Sequence, residues 1–148
     1  MKKTLAVVLG LLLVLGMVMA ADYQIYSVRA SISGTTTTMT NYKFAASDND
    51  TSQTFDCRGA TSVALGIYVA DSASILVYYL PSWDGATFGK RIYIDSMNSA
   101  ATTGPNVKFF ALPEAGLAAP FVKFNWAISA YDEGVTSDTL SMKVYMRR

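Results

Sequence analysis

The chain has 148 residues, with 12 Lys and Arg against 11 Asp and Glu, one cysteine and no histidine. Without histidine there is no Ser-His-Asp or Cys-His nucleophile system and no His-based zinc site. One cysteine allows neither an intrachain disulfide nor a Cys-rich metal cluster. The near-zero charge offers no basic stripe of the kind that nucleic acid selects, so no nucleic-acid partner is expected.

The N-terminus opens on Lys2 and Lys3, followed by an apolar run from Leu5 to Ala21 that closes on Val18-Met19-Ala20-Ala21. A basic head, an apolar middle and a small-residue cut site describe a cleavable secretory signal helix over residues 1–20, cut between Ala20 and Ala21. The rival reading is a retained anchor. The run is shorter than the roughly 20 residues that cross a bilayer, and Asp22 follows it instead of a basic stop. The expectation is a single domain over residues 21–148 that is secreted, periplasmic or on the cell surface. Membrane contact is expected only through the signal segment before cleavage. Loss of Lys2 and Lys3 leaves 10 basic residues against 11 acidic ones.

Beyond the leader the apolar period is two. Strands are expected at about 22–32, 36–46, 53–57, 61–70, 74–81, 87–95, 106–112, 121–131 and 139–147. Val63, Leu65, Ile67 and Val69 share one face of the fourth. Val77 lies on the core face of the fifth and Ile92 on that of the sixth. Val122, Phe124, Trp126 and Ile128 alternate with Lys123 and Asn125, and Met142 and Val144 alternate with Lys143 and Tyr145. Such alternation puts one face on a core and the other in water. The expected core therefore includes Leu65, Ile67, Val77, Ile92, Phe124, Trp126, Ile128, Met142 and Val144. Cys57 shares a strand face with Phe55 and reads as a small buried hydrophobe. Turn residues at 33–34, 47–50, 58–59, 71–72, 84–85, 103–105 and 132–134 punctuate the strands. Asp84-Gly85 is the strongest hairpin signal. Pro113 to Pro120 has room for one helical turn. About nine short strands with even turns predict an all-β, antiparallel β-sandwich of jelly-roll type.

The stretch Ile75-Leu-Val-Tyr-Tyr-Leu-Pro-Ser-Trp-Asp-Gly-Ala-Thr-Phe88 runs strand, Ser-x-Asp-Gly-x-x-Phe, strand, and Pro120-Phe-Val-Lys-Phe124 follows a Gly/Ala-rich turn. Over residues 60–147 this order resembles the galactose-binding-like jelly rolls, including discoidin-type and related carbohydrate-binding modules. The resemblance implies a β-sandwich and an extracellular glycan as ligand. The chain departs from many discoidin domains in lacking the disulfide that joins their ends.

Three sets of residues invite chemistry. Trp83 sits beside the Asp84-Gly85 turn, where an exposed indole stacks on sugar rings. Tyr78, Tyr93, Lys90 and Arg91 stand near it as partners, and the plainer reading folds Trp83 back over the hairpin. Asp48, Asp50 and Asp56 belong to a run of alternating oxygen side chains that suggests calcium. Gln53 replaces the turn glycine of an EF-hand and Gly59 its closing glutamate, which favours a polar surface loop, and otherwise no cofactor is expected. Asn49-Asp50-Thr51 matches a glycosylation sequon and serves as a loop marker. The remaining acids fall at turns and strand ends without the paired spacing of a glycosidase, so no enzyme is expected.

Two roles follow. One is an extracellular or cell-surface structural protein that self-associates into an oligomer or polymer by strand pairing, with the Thr-rich segment Tyr23 to Thr40 as the pairing strand. That segment also reads as the first two strands of its own sandwich. The other is a stand-alone carbohydrate-binding module using the aromatic platform at Trp83.

Overall fold

The computed structural model describes residues 23–32, 35–44, 49–70, 73–98, 106–131 and 139–148. The signal segment expected at 1–20 lies outside them, as do Asp48 and the turns at 33–34, 71–72, 103–105 and 132–134. The described strands are β1 (Tyr23–Ser27), β2 (Arg29–Ile32), β3 (Thr35–Thr38), β4 (Tyr42–Lys43), β5 (Asn49–Thr51) and β6 (Phe55–Asp56). They continue as β7 (Ser62–Val69), β8 (Ala73–Ser82), β9 (Ile92–Asn98), β10 (Asn106–Ala111), β11 (Phe121–Tyr131) and β12 (Thr139–Arg147). A single helical turn, α1 (Glu114–Leu117), lies between β10 and β11.

The strands form two antiparallel sheets. The first has the order β1-β12-β7-β10, with β4 beside β12. The second has the order β5-β11-β8-β9, with β6 also on β11. The chain passes from one sheet to the other at β4 to β5, β6 to β7, β7 to β8, β9 to β10, β10 to β11 and β11 to β12. The last strand thus lies between the first strand and β7. This is the double Greek key of a jelly-roll sandwich. Strands β2 and β3 form a separate ribbon. It is tied to the body by Met142 N–H donating to Met39 O and Gln53 N–H donating to Arg29 O.

Periodicity accounts for the core. Leu65 and Ile67 of β7, Met142 and Val144 of β12, Val77 of β8, and Phe124, Trp126 and Ile128 of β11 are all buried between the sheets. Each large aliphatic or Phe side chain buried there contributes on the order of 1.5–3 kcal/mol. Phe55 edges onto Phe124 with ring centres 6.0 Å apart.

Several expectations are corrected. Ile92 is 44% exposed. It opposes the buried Tyr79 and so has the inward phase, but it opens the outermost strand of its sheet, at the rim of the sandwich. Met97 is the β9 side chain that reaches the core. The strand expected from residue 87 begins at Ile92, and residues 83–91 form a longer loop than the expected connection over 82–86. Residues 49–51, read as part of a loop, are strand β5, because they pair with Asn125 to Ala127 of β11. The segment from Tyr23 divides in two. Its first part pairs residue for residue with the chain's own β12, Tyr23 with Arg147 through Ser27 with Lys143. Its second part folds into the ribbon, burying Val28, Ala30 and Met39.

Candidate functional site

The loop after β8 lines a groove against the helical turn α1. Asp84 organises it. Its Oδ1 accepts hydrogen bonds from the N–H groups of Ala86 at 2.9 Å and Thr87 at 2.8 Å, and from the Ser82 hydroxyl at 2.9 Å. Those donors, Thr87 first, hold the carboxyl at about 2, below the usual range. Gly85 has φ +73°, a left-handed conformation that favours glycine, and its Cα faces the Phe121 ring. Gly89 N–H donates to Pro81 O at 2.9 Å and closes the loop. An Asp in this position gathers the amides that follow it, which is why Asp84-Gly85 nucleates a broad loop here.

The groove, about 640 Å³, runs between Pro81, Trp83, Phe88 and Gly89 on one side and Ala115 and Ala118 on the other. Helix α1 is set down beside it by Gly116, where a Cβ would lie 2.8 Å from Leu112 and 3.0 Å from the Tyr79 ring. Trp83 is 82% exposed, the most exposed large hydrophobic side chain among the described residues. It does not fold back over the core. Lys123 holds its ammonium 4.2 Å from the centre of the Phe88 ring.

The expected platform is divided. Tyr78 and Tyr93 meet edge to face at 5.6 Å, and Arg91 lies 4.8 Å over the Tyr78 ring. This cluster covers the outer surface of β8 and β9, and none of its three residues lines the groove of Trp83. Lys90 is exposed beside Gly89.

The expected calcium run is also divided. Asp50 opposes Trp126 and Asp56 opposes Phe121. Those positions are five residues apart on β11, about 16 Å at strand rise. Asp56 is engaged by Arg58, whose Nε lies 2.9 Å from Oδ1. That hydrogen bond is the first cause of a carboxyl lowered to about 2. Among the described residues no three His, Cys, Asp or Glu side chains converge on a metal position. Cys57 is buried, and burial pushes its thiol up to about 11.

A second surface was not singled out from the sequence. On the outer face of the first sheet, Gly66 sits under two rings. A Cβ there would lie 2.8 Å from Tyr145 and 3.0 Å from Phe109, and those rings meet edge to face at 5.3 Å. Beside them Tyr68, Val107 and Lys143 line a cleft of about 340 Å³. The signal was present in Val107-Lys108-Phe109-Phe110, where apolar residues occupy both phases of one strand.

No family model matches the chain, and no curated protein matches it. Among solved structures it is similar to a chain in the structure of infectious bursal disease virus, Gx strain. The TM-score is 0.50 at 13% identity, over 86% of this chain and 33% of that one. It also matches the enzymatically active domain of tailspike protein 4 from bacteriophage CBA120, with a TM-score of 0.39 at 14% identity, over 85% of this chain and 19% of that one. The chain thus spans a third or less of either. The first likeness agrees with the sandwich fold; the second is too loose to carry an argument. The first likeness supports the expected sandwich, and the expected galactose-binding-like family does not follow from it.

Proposed function

We propose that the protein is an exported, non-catalytic building block that acts outside the cell by self-association. One observation carries this reading. Of the eight large hydrophobic side chains exposed among the described residues, five lie on the outer face of the first sheet: Tyr23, Ile25, Tyr68, Val107 and Phe109. That face ends at β1, an edge strand with nearly every side chain exposed. Apolar sheet faces and uncovered edges of this kind favour chain-to-chain contact. The absent histidine and the engagement of Asp56 and Asp95 with Arg58 and Lys108 support a role without catalysis. Static light scattering of wild type and Ile25→Lys tests it. Lysine on an edge opposes strand addition, so the expected result is a lower mass for the variant. Equal monomer masses for both at high concentration contradict it.

The exposure of Trp83 beside Phe88 supports a second reading, a glycan-binding module. Retention on immobilised polysaccharides that disappears in Trp83→Ala would favour it, and equal retention of the two proteins would remove it.

A further inference from the structure

The self-association reading leaves open which surfaces meet, and the distribution of charge and apolar area narrows the choice. On the outer face of the first sheet every described charged residue is a cation: Lys43, Lys143 and Arg147. None of the three has an ion-pair partner among the described residues. Lys143 lines the cleft beside Gly66, and Lys43 and Arg147 lie on the same face. Stacking this face on its own copy would set cation against cation, which disfavours a twofold contact.

The complementary surface is on the same molecule. Among the described residues Asp56 and Asp95 are engaged in ion pairs. Asp84 and Glu114 are exposed and have no cationic partner. Asp84 follows Trp83 directly, and Glu114 precedes Ala115, which lines the same groove. Trp83, the most exposed large hydrophobic side chain among the described residues, therefore projects from an end whose carboxylates Asp84 and Glu114 make no ion pair, with Lys90 at the far side of the loop. The cleft between Tyr68, Val107, Phe109, Tyr145 and Lys143 is concave and walled by rings, and the missing side chain at residue 66 lets the Phe109 and Tyr145 rings settle close against the sheet as its inner wall. Its volume of about 340 Å³ suits one large aromatic side chain.

We propose that Trp83 of one copy docks into the Gly66 cleft of the next, with Asp84 meeting Lys143. The knob lies on the loop after β8 and the cleft on the outer face of the first sheet, so the contact joins two different surfaces, head to tail. A heterologous contact of this kind repeats along a chain of molecules unless the rotation closes a ring. The inference rests on the self-association reading and names its surfaces.

Complementary variants test it. Trp83→Ala removes the knob and keeps the cleft. Val107→Glu spoils the cleft and keeps the knob. Both positions are exposed, so both proteins are expected to fold, and circular dichroism checks this. A buried aromatic anchor of hot-spot strength weakens association about 30-fold when it is lost. Each variant alone is therefore expected to remain monomeric where wild type assembles. Mixed in equal amounts, they are expected to form one dimer and nothing larger, since the mixture holds one intact knob–cleft pair. Lys143→Glu is a second cleft variant that leaves the rings in place, and it too should dimerise with Trp83→Ala. Wild type that assembles while both single variants assemble equally well overturns this docking and leaves the self-association reading standing. A mixture that stays monomeric also overturns it. Wild type that stays monomeric at the highest soluble concentration overturns both.

Discussion

Gly85 and Gly59 separate two effects that a glycine can serve. Both have positive φ, +73° and +72°, which costs a side-chain-bearing residue about 1–2 kcal/mol. A Cβ on Gly59 meets open space, while one on Gly85 lies 3.3 Å from the Phe121 ring. Gly85→Ala should therefore lower stability more than Gly59→Ala in urea unfolding, and equal losses would show that the ring moves aside freely. Asp84 gives a pH test at the same loop. Its folded pKa of about 2 is below the ordinary 3.8, so folding favours the ionised carboxylate. The stabilisation it supplies is complete above pH ~4 and is lost as the pH falls from about 4 to about 2. The amide resonances of Ala86 and Thr87 should titrate with a midpoint near 2. A midpoint near 4 would mean that the carboxylate is not held by those amides. Residues such as these were partly legible. Asp-Gly announces a turn, but the amides that Asp84 collects depend on the path of the whole loop.

At the scale of elements, the strands best read from sequence are those buried along one complete face. Strands β7, β11 and β12 alternate cleanly because each is central in its sheet, and the pattern of residues 62–69 alone places Val63, Leu65, Ile67 and Val69 inward. Trp126 is the largest of these buried side chains and is 1% exposed. Trp126→Ala should cost about 3–5 kcal/mol, measured by chemical denaturation, and a loss under 1 kcal/mol would mean that the sheets close over the gap. Edge elements were read less well. Strand β5 exists because β11 offers it partners more than 70 residues away, as in the Asn125 to Thr51 hydrogen bond, and no local pattern announces that pairing. Ile92 has the right phase and the wrong position, at a rim. The groove of Trp83 joins residues 81–89 to α1, and its depth depends on Gly116 packing against Tyr79. Two segments about thirty residues apart in sequence form it, so the sequence pointed to Trp83 and not to its neighbours. Tyr78, Tyr93 and Arg91 pack on one another but lie on a different surface from the indole with which the sequence grouped them.

At the scale of the molecule, the sandwich is closed in its interior and unfinished on its outside. The core residues satisfy one another between the sheets, and on one side the rim is bridged by Lys108 of β10, which reaches Asp95 and the Ser96 carbonyl of β9. The opposite edge, at β1, is linked to the second sheet near its end, where Gln53 Nε2 donates to Ser27 O at 2.8 Å and Tyr26 meets Phe55 edge to face at 6.2 Å, and the adjoining sheet face is apolar and cationic. A protein whose chemistry ends at its surface is expected to act through that surface. Sedimentation velocity over a wide range of concentration tests this most directly. The account predicts a mass that grows with concentration and falls back on dilution. A single species at the mass of one chain throughout would contradict it.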